Sequence, residues 1–351
     1  MVAASPEHLL GVLYGFSSGG AELLKARRVD AGARPAVEAA HKFLEDRESQ
    51  LKGYEPVESR GGLVALRRPS PPGLSPPQPS DLVVCNPLTG QHVSLPRPST
   101  WDESFVLLPD GGGDFRLHVV NLELADAGML QLQTFTSSSV EPSKSAWGAV
   151  VATYAHLPLG APSRFLRPSA LVLDGVAYWL CKSESECLGY HVLALPLDGQ
   201  QQPAPIKLAD KVLQRPEHDK ARGFNADDLL LTSTMVNGRR RLALAVVKNF
   251  TISLWTLEDD QAKPARWTRH KFFDMWRIMV DRGCPAPWRE EGDKLELECF
   301  SEASGSLLFH FYLRMLYKLD LKTGEVETGE VELFGVYCKR GSSNMCEYEI
   351  S

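Results

Sequence analysis

Asp81-Leu-Val-Val-Cys-Asn-Pro-Leu-Thr-Gly-Gln-His-Val-Ser-Leu-Pro96 decides how the chain is read. Four apolar residues make a strand, Asn86-Pro87 and Thr89-Gly90 build a turn, and a second strand closes on Leu95-Pro96. Asn-Pro initiates reversals, and glycine supplies the positive φ that a tight one needs. The pattern returns twice. Tyr190-His-Val-Leu-Ala-Leu-Pro-Leu-Asp198-Gly199 leads to Pro205-Ile-Lys-Leu208, and Leu316-Tyr-Lys-Leu-Asp-Leu-Lys-Thr-Gly324 leads to Glu325-Val-Glu327. One unit written three times predicts a repeat architecture.

Other hairpins extend the pattern. Leu171 to Trp179 pivots on Asp174-Gly175, and Thr234 to Leu242 pivots on Asn237-Gly238. Both dipeptides favour the type I′ turn that matches strand twist. Phe105–Leu108 and Phe115–Val120 flank the loop Pro109-Asp-Gly-Gly-Gly-Asp114, and Leu9 to Phe16 is an apolar strand. Two dozen or so short strands at even spacing predict an all-β, degenerate, kelch-like β-propeller. At ~four strands and 40–50 residues per blade, the length fits about six blades, with seven also possible. A single domain spanning 1–351 is expected, with the proline-rich stretch 69–79 as a surface loop because strands begin before it. The one helix predicted lies near the N-terminus, from Pro35 to Gln50. Proline suits its first turn, Val37, Ala40, Phe43, Leu44 and Leu51 mark its apolar face, and Glu38 pairs with Lys42.

Hydrophobic residues make up 43% and charged residues 23%, enough to bury a sizeable core. The net charge of −6 argues against a general polyanion binder. No apolar run approaches the ~20 residues of a membrane span. Seven cysteines without a framework spacing, and an N-terminus without signal-peptide character, predict reduced thiols in cytoplasm or nucleus.

Motifs that carry chemistry are few. Gly15-Phe-Ser17-Ser18-Gly19 fits the G-x-S-x-G nucleophile elbow, with an apolar strand before it and Ala21–Arg28 as the helix after it. That gives one alternative, a serine hydrolase using Ser17. Against it stand the motif's place fifteen residues into the chain and the all-β pattern downstream. The nine histidines show no metal-ligand spacing, and neither Cys181 with Cys187 nor Cys338 with Cys346 has the spacing that clasps zinc. No metal, cofactor or catalytic residue is expected. The acids at Asp227-Asp228, Glu258-Asp259-Asp260 and Glu290-Glu291 read as solvated. Arg239-Arg-Arg241 and Arg266-Trp-Thr-Arg-His-Lys-Phe-Phe273 mix cations with aromatics, which makes a nucleic-acid-binding propeller the second alternative. The first of these follows a hairpin turn, where charge faces water; the second reads as a blade strand whose aromatics pack between sheets. Trp179 and Trp255 sit in strand patterns and belong to the core. Trp101 and Trp288 sit in loop-like surroundings, and with Arg289 they are the expected protein-binding residues, since Trp and Arg dominate interfaces.

Several motifs together resemble the F-box-associated β-propeller domains of grasses. They are Ser59-Arg-Gly-Gly-Leu-Val-Ala-Leu66, Val83 to Gly90, Pro168 to Trp179, Ile252 to Trp255 with Trp267, Gly305 to Phe309, and Tyr348-Glu349, with Leu9-Leu-Gly11 similar to a motif that follows the F-box. The resemblance implies substrate recognition for a cullin-based ubiquitin ligase, with a ligase adaptor and a cullin as partners. Nothing before Leu9 encodes the F-box that would dock on the adaptor. The expected function is therefore a non-catalytic, intracellular protein-binding propeller, not an enzyme, holding a protein target away from membranes.

Overall fold

The computed structural model describes residues 8–18, 21–28, 42–43, 45–68, 80–100, 104–111, 113–123, 129–154, 163–167, 169–183, 189–199, 202–214, 224–259, 265–281, 295–302, 304–311, 315–328 and 345–350. Strands dominate them. β1 (His8–Ser18) and β2 (Ala21–Arg28) form a hairpin. β3 (Glu55–Arg60), β4 (Leu63–Arg68), β5 (Asp81–Asn86) and β6 (Gln91–Leu95) follow as an antiparallel meander. In the next sheet β7 (Ser104–Gly111), β8 (Asp114–Glu123) and β9 (Met129–Thr136) lead to β10 (Ala146–Trp147) and β11 (Val151–Tyr154), which share the outer side of β9.

β12 (Ser163–Phe165) and β13 (Leu171–Leu173) share one side of β14 (Val176–Ser183), with β15 (Tyr190–Pro196) and β16 (Ala204–Lys207) beyond it. β17 (Leu229–Val236), β18 (Arg239–Lys248), β19 (Thr251–Asp259) and β20 (Arg266–Asp274) repeat the meander. So do β21 (Leu295–Ser301), β22 (Ser306–Phe311), β23 (Met315–Asp320) and β24 (Val326–Thr328). Finally β25 (Met345–Ile350) pairs with the free side of β1.

The chain is all-β, and five of its six sheets are meanders of the four-stranded blade type found in propellers. The expectation of about six blades is corrected to five, because the sheet β2-β1-β25 has three strands only among the described residues. Contacts group the strands into two compact units, β1–β11 with β25 in one and β12–β24 in the other. In the first unit β3 lies against β7, and in the second β17 lies against β21. These contacts join first strand to first strand within each unit. Trp179, Trp267, Phe105, Phe135 and Phe309 are among the largest fully buried side chains. Burying each stabilises the fold by about 2–3 kcal/mol before entropy is counted.

The repeated sequence sentence occupies one structural position. It forms the third strand, the turn and the fourth strand of three blades: β5–β6, β15–β16 and β23–β24. Two of the turns share their chemistry atom for atom. Asn86 Oδ1 accepts from the amides of Leu88 (3.0 Å) and Thr89 (3.2 Å), and Asp320 Oδ1 accepts from Lys322 (2.7 Å) and Thr323 (2.8 Å). Gly90 and Gly324 then donate to the carbonyls of Asn86 and Asp320, at φ of 75° and 76°. The Asp174-Gly175 and Asn237-Gly238 turns hold positive φ at both residues, as the type I′ reading requires.

Two expectations near the N-terminus change. Ala21–Arg28 is a strand, not the helix a nucleophile elbow needs, although its Leu, Lys, Ala and Arg content favours helix. Residue-by-residue pairing with β1, Ser17 opposite Glu22, overrides that local preference. Ser17 thus stands at a hairpin end, outside the strand–turn–helix context of the hydrolase motif. The helix predicted from Pro35 falls partly outside the described residues. What is described ends in a short helix, Glu48–Leu51, with Phe43 and Leu51 buried and the Arg47 guanidinium 4.6 Å from the centre of the Phe43 ring. The proline-rich stretch 69–79 also lies outside the described residues.

Candidate functional site

Two places combine unusual chemistry with defined geometry, one in each unit. The first is the outer edge of the sheet β7–β11. Between the pairs Trp147–Phe135 and Val151–Leu132, three residues of the outer strand (Gly148, Ala149, Val150) face two of β9 (Gln133, Thr134). That is a bulge, and the buried Gln133 side chain is built into it. Gln133 Nε2 donates to the Gly148 carbonyl (3.0 Å), while Oε1 accepts from the amides of Ser99 (2.6 Å) and Thr100 (3.3 Å). Trp147 anchors the near end: its indole donates to the Pro96 carbonyl at 2.6 Å and its ring meets Phe135 edge-on at 5.3 Å. Held in this way, the strand presents Ala146, Gly148, Ala149, Val150, Val151 and Ala152 to the outside. Val150 and Val151 are 40% and 55% exposed, and Val140 on the neighbouring turn is 84% exposed. No charged residue occurs from Ser145 to Tyr154.

The second place surrounds Arg167, between β12 and β13. Its guanidinium donates to three backbone carbonyls: Ala226 (3.2 Å from Nε and 3.1 Å from Nη2), Leu297 and Glu298. Arg167 thereby ties the approach to β17 and the strand β21 to its own sheet, and burial lowers its pKa from the usual arginine value. The Glu298 carboxyl lies beside it. Burial pushes this acid up to about 7, with the charge of Arg167 pulling the other way and Asp227 and Glu296 adding to the rise. His310 Nε2 sits 3.6 Å from Glu298 Oε1. A carboxyl that holds its proton to neutrality beside an imidazole can donate and recover a proton. Among the described residues, no group of three or more His, Cys, Asp or Glu is placed to hold a metal ion.

The residues expected to bind protein, Trp101, Trp288 and Arg289, lie outside the described residues. Of the basic stretches, Arg239 and Arg240 face water as read, and β20 buries Trp267 and Phe273 while exposing Arg266, Arg269 and His270; Phe272, read as packed between sheets, is 54% exposed. Trp179 and Trp255 are buried. Asp228 departs from the expectation of solvated acids. It is buried and closes a capping box, accepting from the Asn225 amide at 2.8 Å. Cys85 and Cys181 are buried free thiols, and burial pushes Cys85 up to about 12, which leaves it unreactive at neutral pH. No described helix is long and apolar enough to cross a membrane.

Comparison with solved structures gives likeness of fold alone. A DUF4784 family protein from Bacteroides caccae is 8% identical, covers 98% of this chain and 74% of its own, and has a TM-score of 0.48. A 6-phosphogluconolactonase-like protein from Bacteroides fragilis is 10% identical over 77% of this chain and 67% of its own, at a TM-score of 0.39. The α-L-arabinanase of Penicillium chrysogenum is 11% identical over 78% and 79%, at 0.40. Structures of enzymes thus stand among those alike in fold, which corrects the expectation that the chain is not an enzyme. That expectation rested on the scarcity of catalytic motifs and on the family resemblance, and a propeller fold does not separate binders from catalysts. No curated protein matches the sequence. The family described as Domain of unknown function (DUF7595) matches residues 11–351. The chain belongs to the DUF7595 family.

Proposed function

We propose that the chain is a protein-binding platform whose outer edge on the sheet β7–β11 takes hold of another polypeptide. The observation that carries this is the exposed, uncharged run Ala146–Ala152. Sheet edges normally carry charge, proline or a covering segment that discourages pairing with other chains. An edge that exposes valine and alanine instead suits an added strand or an apolar patch on a partner. The sequence resemblance to F-box-associated domains supports the same role. It extends the reading to target recognition in ubiquitylation, with an adaptor and a cullin as further partners. A display library of extended peptides tests the binding claim. Enrichment of uncharged, β-branched sequences, abolished by Val151→Lys, is the expected result; no enrichment, or enrichment untouched by that substitution, counts against it.

A second reading rests on Glu298 and His310. A carboxyl that burial raises to about 7, 3.6 Å from an imidazole, fits general acid–base catalysis in the second unit. Turnover of an ester, lactone or glycoside by the wild type, lost in Glu298→Gln with the fold intact, would support it. Turnover equal in both would remove Glu298 from the chemistry.

A further inference from the structure

We infer that the polypeptide docking on the β10–β11 edge is a second copy of this chain, paired antiparallel about a two-fold axis near Val151; the inference rests on the protein-binding reading above. The other outer strands differ from this edge in composition. β16 carries Pro205 and Lys207, β20 exposes Arg266, Arg269 and His270 along with Phe272, β24 carries Glu327, and β6 exposes Gln91, His92 and Ser94 around Val93. β16, β20 and β24 thus carry charge or proline against adding a strand, whereas β6 has neither and breaks its apolar run with Gln91, His92 and Ser94. The edge at β10–β11 has only its bulge, which twists the strand but leaves Val151–Tyr154 as a regular paired segment on β9. Among the described residues no strand pairs with the far side of β11.

The absence of charge permits self-pairing. A two-fold axis through an edge strand sets residues near the axis opposite their own copies, so a charged strand would face like charge. From Ser145 to Tyr154 there is none. Beyond it, Lys144 and Glu141 neutralise each other at 2.6 Å. The strand is therefore its own complement, and Val150 and Val151 add apolar contact to the backbone ladder. A single short edge buries less than the ~1,600 Å² of a standard interface, so a dimer with micromolar affinity is expected.

Sedimentation velocity of the full chain from about 1 to 200 µM reads this directly, since a micromolar equilibrium turns over in that range. The wild type should move from monomer toward dimer. Val151→Lys sets two ammonium groups face to face and should raise the dissociation constant by ~tenfold or more. Ala152→Glu, at a second exposed position, is the independent variant should Val151→Lys not fold. A monomeric wild type across the range overturns the inference, and so does unchanged dimerisation in both folded variants. A monomeric wild type whose edge still selects peptides in the display experiment overturns the second copy as occupant and leaves the protein-binding reading standing.

Discussion

Arg167 shows how one residue can carry several elements. Its donors are spent on the carbonyls of Ala226, Leu297 and Glu298, which no neutral side chain at that position can reach together. Arg167→Met is expected to cost ~3–5 kcal/mol, because buried carbonyls lose their partners. Arg167→Lys should recover little of it, since one ammonium cannot reproduce the planar fork. Urea unfolding of both variants checks the ordering. Glu298 makes a pH-dependent claim. Its folded pKa, about 7, lies above the value for an exposed glutamate. The folded state therefore binds more protons than the unfolded state from about pH 4.5 to 7, and stability falls as pH rises through that window. The effect is at most ~3 kcal/mol. Glu298→Gln should remove the slope and be relatively more stable at pH 8 than at pH 5. His118 and His191, which burial holds down at about 4, contribute the opposite slope, losing stability as pH falls below 6.5. The difference between wild type and Glu298→Gln isolates the acid.

At the scale of elements, turns divide into those with room and those without. Gly175 has φ of 77°, and a Cβ added there would meet nothing within 4 Å, so Gly175→Ala should cost only backbone strain, about 1 kcal/mol. Gly61 has φ of 57°, and a Cβ there would sit 2.8 Å from Pro109 Cγ. A proline ring cannot swing aside, so Gly61→Ala should cost clearly more, by ~1–3 kcal/mol. Chemical denaturation of the two variants side by side checks the difference. The hairpins themselves were legible in the sequence, because Asp-Gly, Asn-Gly and the Asn/Asp-x-x-Thr-Gly turn each name a backbone geometry. The helix after Ser17 was misread because composition speaks for propensity and is silent about pairing with β1. Arg167, Glu298 and His310 could not be found by spacing: Glu298 and His310 meet through the pairing of β21 with β22, and Arg167 reaches Glu298 from the segment between β12 and β13 of another sheet. The edge strand left a signal that went unused, a charge-free run from Ser145 to Tyr154.

For the whole molecule, strands and their turns account for most described residues, and far-ultraviolet circular dichroism should show a β-dominated spectrum; a mainly helical one would contradict the fold. The repeat reading reached the correct class and overcounted the blades, since it divided the whole length by the residues of one blade, while β1, β2 and β25 form a sheet of three. Function was less legible than fold. A propeller's blades bury their core whether the surface binds a protein or turns over a substrate, so neither the absence of a catalytic motif nor the fold decides between them. What distinguishes the β10–β11 edge is an exposed run of alanine and valine without the charge or proline that β16, β20 and β24 carry. Amide hydrogen exchange on the full chain, at low and at high concentration and with a selected peptide, tests that claim most directly. The account predicts slowed exchange confined to the outward amides of Ala149–Tyr154 when an occupant is present, with β16, β20 and β24 unchanged. Unaltered exchange at those amides while an occupant is bound, with protection arising on another edge, would contradict it.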